Sequence, residues 1–247
     1  MADMGNEVSD AVEWYWETLS NQADAQRDSE NTARGRRAQV LGGAQMDGFA
    51  GLIEDALVEA GLPRNDVLHD HDATLPGYFR ATKRWDIAVV HEDKVLAVIE
   101  LKSIASSFGN NLNNRVEEAV GNNIDIQEAY ENGVIEQPKP PWVGYLILMA
   151  DNEDSSSSVR VREPNLDIDD EYRDASYIDR ARLLCERLVR QGVLDSSAFL
   201  TSSKGEGLDG KYEEPNPDLS FQQFLDDLIA HVETQIDNKQ TKLDVDD

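Results

Sequence analysis

Two acids and a lysine flank a short polar turn in this chain. Asp86 opens one apolar stretch, and Glu100 and Lys102 end the next, in WDIAVVHEDKVLAVIELKS over Trp85–Ser103. Carboxylates are hard oxygen ligands that suit Mg²⁺, and an ammonium can orient an attacking water or stabilise developing charge. These residue types therefore indicate metal-assisted hydrolysis of a phosphodiester. A salt bridge at the edge of a strand is the alternative.

The stretch that carries these residues is predicted to be a β-hairpin. Its two arms, Asp86–Val90 and Val95–Leu101, are rich in Val, Ile and Ala, and the polar segment Glu92–Lys94 between them suits a tight turn. The second arm is apolar enough to be a buried strand. Charged residues at its end need partners, because burying an unpaired charge is costly.

The register of the hairpin decides whether the charged side chains meet. Glu100 and Lys102 lie two residues apart in a strand and therefore share a face. A two-residue loop would set Asp86 opposite Ile99, on the other face, whereas a three-residue loop or a β-bulge sets it opposite Glu100. We predict the odd register or a bulge.

Cations and amides around the hairpin are candidate DNA contacts. Lys83 and Arg84 directly precede Asp86, where a phosphate would have to lie. After the hairpin, the segment Ser106–Arg115 is rich in side chains that pair with adenine and guanine edges. They are Asn110, Asn111, Asn113, Asn114 and Arg115. The alternative for this segment is a polar loop with an asparagine helix cap.

Three other features have weaker functional interpretations. Glu59 ends a predicted amphipathic helix and could join a metal site, although a solvated surface acid is the simpler interpretation. His69–His71 has alternate histidines, a spacing that occurs more often at a surface than in a metal site. Arg34–Arg37 is the densest basic cluster of the chain and a candidate phosphate contact; a surface loop without a partner is the alternative.

The net charge of −26 opposes DNA binding at first sight, because DNA-binding surfaces are usually basic. The acids are spread along the chain, and lysine is scarce, with 8 against 15 arginines. Either the surface excludes DNA, or the protein works in concentrated salt. The composition resembles that of proteins from extreme halophiles, and at ~1 M salt the Debye length of about 3 Å would screen distant acids from DNA. We favour the halophilic interpretation.

The length of 247 residues allows one substantial core, and we expect a single nuclease domain over residues 1–247. Residues 1–33 are expected to form a helical N-terminal extension, and residues 237–247 a disordered acidic tail. The single Cys185, the lack of a long apolar segment and the lack of a signal peptide fit a cytoplasmic protein without a membrane span.

The order of elements predicts an α/β fold with a mixed central sheet flanked by helices. Predicted helices cover Val8–Ala25, Asp47–Ala60, a segment ending near Tyr130, Ala175–Arg190 and Phe221–Val232. Besides the hairpin, predicted strands cover Leu75–Thr82, Gly144–Met149 and Ala198–Thr201. This is an αβββαβ core followed by additions.

The residues and their order resemble those of the PD-(D/E)XK nucleases, with a restriction-endonuclease-like fold. Asp86 matches the first acid, Glu100-Leu101-Lys102 matches E-x-K, and Trp85 stands in place of the proline. Longer stretches are similar to the XhoI-type family of type II restriction endonucleases. These are GGAQMDGF (Gly42–Phe49), LPGYFRATKRWD (Leu75–Asp86), IELKS with SFGNNLNNRVEEAVGN (Ile99–Asn122), PWVGYLILMAD (Pro141–Asp151) and ASYIDRARLLCERLV (Ala175–Val189).

The resemblance implies a Mg²⁺-dependent homodimer that cuts double-stranded DNA at the palindrome CTCGAG, with a methyltransferase that protects the host. Asp86, Glu100 and the Leu101 carbonyl would then bind Mg²⁺, and Lys102 would serve the attacking water. A two-fold dimer fits a palindrome, since each subunit reads one half-site. The alternatives are a repair or recombination nuclease that recognises DNA structure, and a non-catalytic DNA-binding protein on the same fold.

Overall fold

A computed structural model describes residues 4–31, 44–162 and 165–236. The Arg34–Arg37 cluster, Gly42, Gly43 and the acidic tail from residue 237 lie outside these ranges. Within them, a five-stranded mixed sheet has the order β1-β4-β5-β6-β7, with β1, β4 and β5 antiparallel and β5, β6 and β7 parallel. Its strands are β1 (Val67–His69), β4 (Ile87–His91), β5 (Lys94–Ile104), β6 (Trp142–Ala150) and β7 (Ser196–Ser202).

The hairpin of β4 and β5 contains the predicted β-bulge. Its turn has two residues, Glu92 and Asp93, with φ angles of 50° and 62°, the left-handed values that a tight hairpin turn requires. The register shifts between Val89 and Val90, so that Ile87 pairs with Ile99. Continued by one residue, this register sets Asp86 opposite Glu100, as predicted.

The prediction of a strand over Leu75–Thr82 was wrong. Two short strands, β2 (Thr74–Pro76) and β3 (Thr82–Arg84), instead pair with each other outside the main sheet. The segment Gly77–Ala81 between them forms a loop. The edge strand of the main sheet is β1, whose three residues are too few to show a periodic pattern.

In the described ranges, seven α-helices surround the sheet. They are α1 (Gly5–Asn31), α2 (Asp47–Glu59), α3 (Phe108–Glu131), α4 (Glu153–Ser156), α5 (Tyr177–Arg190), α6 (Lys204–Gly207) and α7 (Phe221–Ile236). Phe224 of α7 approaches Gly144 of β6, and Phe221 packs on Phe49 of α2 with ring centroids 5.6 Å apart. The helices α2 and α7 therefore cover one face of the sheet, and side chains that alternate with Gly144, such as Tyr145, point to the other.

The helix α3 begins earlier than the asparagine-cap interpretation allows. Its cap is Ser107, which has a left-handed backbone, and Phe108 is already helical. The asparagines of this segment therefore lie inside the first turns of α3, and the interpretation as a capped loop was wrong. The order α2, β1, β4, β5, α3, β6 is the predicted αβββαβ core within a mixed α/β fold. None of the helices in the described ranges is long and apolar enough to span a membrane.

Candidate active site

Two carboxylates and two ammonium groups meet where β3 and β4 lie against β5. We call Lys83, Asp86, Glu100 and Lys102 the acid–lysine cluster. The Lys102 ammonium lies 2.7 Å from Asp86 Oδ2 and also contacts Glu100 Oε2, while the Lys83 ammonium contacts Glu100 Oε1. The β-bulge allows this arrangement, because it brings Asp86 to the level of Glu100 across the hairpin.

The two carboxylates differ in exposure. The Glu100 side chain is only 4% exposed, and each of its oxygens contacts a lysine. The Asp86 side chain is 41% exposed. Its Oδ2 also accepts a hydrogen bond from the backbone N–H of Leu101, at 2.8 Å. Asp86 is therefore fixed at one oxygen while the carboxylate stays open to solvent and to a ligand.

Lys102 is held in its protonated form. Burial alone lowers the pKa of this ammonium, but the charges of Glu100 and Asp86 and the hydrogen bonds to both outweigh burial and leave the pKa raised. In the absence of a bound cation, Lys102 is therefore a hydrogen-bond donor and a positive charge.

Lys83 closes the other side of the cluster. Its ammonium lies 4.8 Å from the centroid of the Trp85 ring, a cation–π contact, and also contacts the carbonyl of Arg84. Trp85 is buried, so this ring is a fixed platform. Trp85, at the position where the motif has proline, thus supports the lysine that contacts Glu100.

The donor set fits a small, hard cation. Asp86 and Glu100 supply carboxylate oxygens on one face, and the exposure of Asp86 leaves room for water or a phosphate. In the described ranges, no group of three or more His, Cys, Asp or Glu side chains could enclose a metal ion. Such an ion would therefore complete its shell with water, substrate or a backbone oxygen such as that of Leu101, which is typical of Mg²⁺.

The predicted DNA contacts fall into two groups in the structure. Lys83 belongs to the acid–lysine cluster, with Arg84 exposed beside it. The others lie on α3, and three of them are exposed to solvent: Asn110, Asn113 and Asn114. Asn111 donates to the Ser106 carbonyl at 2.6 Å, and Arg115 pairs with Glu118 at 3.2 Å.

The other candidate residues lie apart from the cluster. Glu59 is exposed on α2, which packs with α7 on the face of the sheet opposite Glu100. His69 Nε2 lies 2.8 Å from Glu54, which also pairs with Arg64. These positions agree with surface interpretations of Glu59 and of the His69–His71 segment.

Sequence reasoning missed a buried acid that positions the loop before the cluster. Asp125 of α3 is 2% exposed. Its carboxylate accepts hydrogen bonds from the backbone N–H groups of Tyr78 and Phe79, at 3.0 and 2.7 Å, and pairs with Arg80 Nε at 2.8 Å. A Cβ on Gly77 would come within 2.6 Å of Asp125. The only signal in the sequence is an acid among the apolar positions of a helix.

Comparisons with known proteins identify relatives of this chain. Residues 25–214 match the family described as restriction endonuclease XhoI. Among curated proteins, the type II restriction enzyme BstVI of Geobacillus stearothermophilus is 43% identical over 207 residues, covering 81% of this chain and 92% of that enzyme. The type II restriction enzyme XhoI of Xanthomonas vasicola is 40% identical, covering 73% of each chain. AbrI of Azospirillum brasilense, also a type II restriction enzyme, is 37% identical, covering 63% of this chain and 71% of that enzyme. No solved structure matches the chain.

Proposed function

The chain belongs to the XhoI family of type II restriction endonucleases, and we propose that it cuts both strands of double-stranded DNA at the palindrome CTCGAG with Mg²⁺ as its cofactor. As a member it is a site-specific deoxyribonuclease, and enzymes of this class generally depend on a metal ion. The convergence of Asp86, Glu100 and Lys102 on one face carries the proposal.

Each residue of the acid–lysine cluster has a role that its contacts support. Asp86 and Glu100, with the Leu101 carbonyl, would hold Mg²⁺, which polarises the scissile phosphate and neutralises charge that develops on it. Lys102, charged and fixed between the two acids, orients the attacking water and stabilises the transition state. Lys83 holds the second oxygen of Glu100 and keeps that buried carboxylate in place.

The substrate defines the expected assembly. A palindrome presents the same half-site twice, so a two-fold homodimer reads both halves and cuts one strand with each subunit. Arg84, which is exposed beside the acid–lysine cluster, would contact the scissile phosphate. The exposed asparagines of α3, together with Asn111 and Arg115, are the proposed base or backbone contacts. A DNA methyltransferase of the same specificity would be the functional partner that protects the host's own DNA.

Digestion of plasmid DNA tests the proposed function. A plasmid with one CTCGAG site is incubated with the protein and Mg²⁺ over a range of KCl concentrations, and a plasmid with one base pair of the site changed is the control. We expect a single linear product from the first plasmid only, with both strands cut inside the site and no product in EDTA.

Other outcomes would assign other functions. Nicks at branched or damaged DNA, without discrete fragments, would indicate a repair nuclease. Intact DNA under every condition, together with DNA binding, would indicate a non-catalytic protein. Fragments with ends at a different sequence would keep the enzyme class and replace the recognition site.

A further inference from the structure

A groove of about 570 Å³ runs beside the first turns of α3, away from the acid–lysine cluster. We call it the arginine groove. It is formed by the start of α3, the extended segment 159–162, a turn around Tyr172 and the α5 helix. The polar side chains that line it are Asn110, Asn113, Arg160, Arg162, Tyr172, Tyr177 and Arg180.

The charge of the arginine groove is unlike that of the rest of the chain. Of the 247 residues, 49 are acidic, about one in five, yet none of the described residues that line the groove is an acid. Three of the lining residues are arginines. A lining that has three arginines and no acid among its described residues favours an anion over a cation.

Arg160 and Arg162 form no ion pair with a described residue, a property that they share with the exposed Arg84 and Arg190. Six arginines in the described ranges form ion pairs with carboxylates: Arg64, Arg80, Arg115, Arg173, Arg182 and Arg187. Arg160 and Arg162 are exposed and make no hydrogen bond or ion pair with any residue that the structure describes. Within the part of the chain that the structure describes, no carboxylate occupies their guanidinium groups.

The backbone holds these two arginines side by side. Val159 and Val161 are partly buried while Arg160 and Arg162 are exposed, the alternation of an extended segment. Arg180 donates a hydrogen bond to the Val159 carbonyl at 2.8 Å, and the Val159 N–H donates to Ala175 at 3.3 Å. Arg180 thus positions the segment, and the two exposed arginines point to the same side.

The arginine groove lies at the same edge of the sheet as the acid–lysine cluster. Lys102 is two residues from the end of β5, about 7 Å along the strand. The α3 helix follows the end of β5, and the segment 159–162 follows the end of the parallel strand β6. In open α/β sheets this edge is where ligands bind.

We propose that Arg160 and Arg162 bind the phosphate backbone of the substrate DNA and thereby set α3 against the base edges. This rests on the proposed function. Exposed guanidinium groups with no carboxylate partner among the described residues suit phosphate contacts, which position a protein on DNA without reading sequence. Asn110 and Asn113 line the same groove and lie next to the bound strand, where they can reach base edges.

Salt-dependent binding tests the proposal. Affinity for two fluorescent duplexes, one with CTCGAG and one scrambled, is measured in EDTA from 0.1 to 0.4 M KCl. Each phosphate contact contributes roughly 0.9 to the slope of log affinity against log salt, so the Arg160→Gln/Arg162→Gln variant should lose about 1.8 from the slope. Across this fourfold salt range the wild type should then lose roughly 12-fold more affinity than the variant, on both duplexes alike.

Two matched variants serve as controls. Arg190→Gln/Lys204→Gln removes the same charge from exposed positions outside the arginine groove and should keep the wild-type slope. Arg160→Lys/Arg162→Lys keeps the charge and should also keep it, since a phosphate accepts a point charge whereas bidentate base reading does not. Thermal unfolding of each variant confirms the fold.

Three results would overturn the proposal. An unchanged slope in the Gln variant, with a wild type that cuts plasmid at discrete sites, rejects the arginine groove alone and leaves the proposed function standing. Affinity lost only for the CTCGAG duplex replaces phosphate binding by base reading. A wild type that binds neither duplex and cuts no plasmid rejects the proposed function and the groove together.

Discussion

The acid–lysine cluster and the arginine groove lie at one edge of the sheet but treat their charges in opposite ways. In the cluster, two acids and two lysines neutralise each other through direct contacts, and the Glu100 side chain is almost fully buried. In the groove, Arg160 and Arg162 are exposed without a partner among the described residues. The charges of the acid–lysine cluster are thus paired before any ligand binds, whereas Arg160 and Arg162 have no paired carboxylate among the described residues.

This difference in charge pairing predicts that the acid–lysine cluster acts in cleavage and that the arginine groove acts in DNA binding. A closed network fixes its side chains in one geometry, which is what catalysis requires of groups that act in the transition state. Two arginines with no carboxylate partner among the described residues can form charge-assisted hydrogen bonds with an incoming anion. Variants in the cluster should therefore change the rate of cleavage at saturating protein, and variants in the groove should change affinity and its salt dependence.

The largest expected effect follows from removing Lys102. Lys102→Ala removes the cation between Asp86 and Glu100, and we expect cleavage to be abolished, a loss of at least ~100-fold in single-turnover rate. DNA affinity should remain largely intact, because this ammonium is occupied by the two acids. Rapid-quench cleavage of a CTCGAG duplex and anisotropy on the same sample measure the two quantities.

Lys139→Ala is the matched control for Lys102→Ala. Lys139 is an exposed lysine between α3 and β6, so its removal changes the net charge equally without touching the acid–lysine cluster. It should cut DNA at the wild-type rate. Undiminished cutting by Lys102→Ala would remove this lysine from the mechanism, and loss of cutting by both variants would point to overall charge.

Asp125 extends the comparison, because its carboxylate is buried and paired like that of Glu100 but lies outside the acid–lysine cluster. Asp125→Ala removes the hydrogen bonds to Tyr78 and Phe79 and the pair with Arg80. We expect the free energy of unfolding to fall by about 2–3 kcal/mol, since hydrogen bonds to a buried charge are lost. Urea titration measures it. Asp170→Ala is the control, because Asp170 is 92% exposed in its ion pair with Arg173. It should lower the free energy of unfolding by less than ~1 kcal/mol. Equal losses in the two variants would show that the contacts of the buried Asp125 do not stabilise the fold more than a surface ion pair does.

The sequence was sufficient to predict the order of the core elements and the face that Asp86 shares with Glu100, but not the position of the first strand. Glu100 and Lys102 had to share a face, and Asp86 could join them only through an odd register or a bulge. The structure has the bulge. Helix and strand periodicity also located the long elements, because each has enough residues to display a pattern.

The rest depended on contacts between distant segments, which no local pattern encodes. The strand predicted over Leu75–Thr82 failed because Asp125, more than forty residues later, holds the intervening residues as a loop. The arginine groove was not visible, since Arg160 and Arg162 follow β6 while Asn110 and Asn113 follow β5. Only the parallel pairing of β5 and β6 brings them to one edge.

Arg115 tests whether a side chain of α3 contacts the bases of the recognition site. Its side chain is 18% exposed and paired with Glu118 at 3.2 Å, so it is closed in the free protein. Arg115→Ala should weaken binding to the CTCGAG duplex by about 1–2 kcal/mol and leave the scrambled duplex unchanged, as expected of a base contact. Competition binding with both duplexes measures this. Unchanged cognate affinity would exclude Arg115 as a contact.

The smallest expected effect is that of salt on stability. Added KCl should stabilise the fold, whereas it should weaken DNA binding. With a net charge of −26, distant acids repel one another, and salt screens this repulsion more than it screens the close contacts of the acid–lysine cluster. From 0.05 to 1 M KCl we expect a gain of about 1 kcal/mol, a rise of roughly 2–4 °C in Tm, while DNA affinity falls. Thermal unfolding monitored by circular dichroism measures Tm. Highest stability in dilute buffer would reject the halophilic interpretation, because self-repulsion would then not limit the fold.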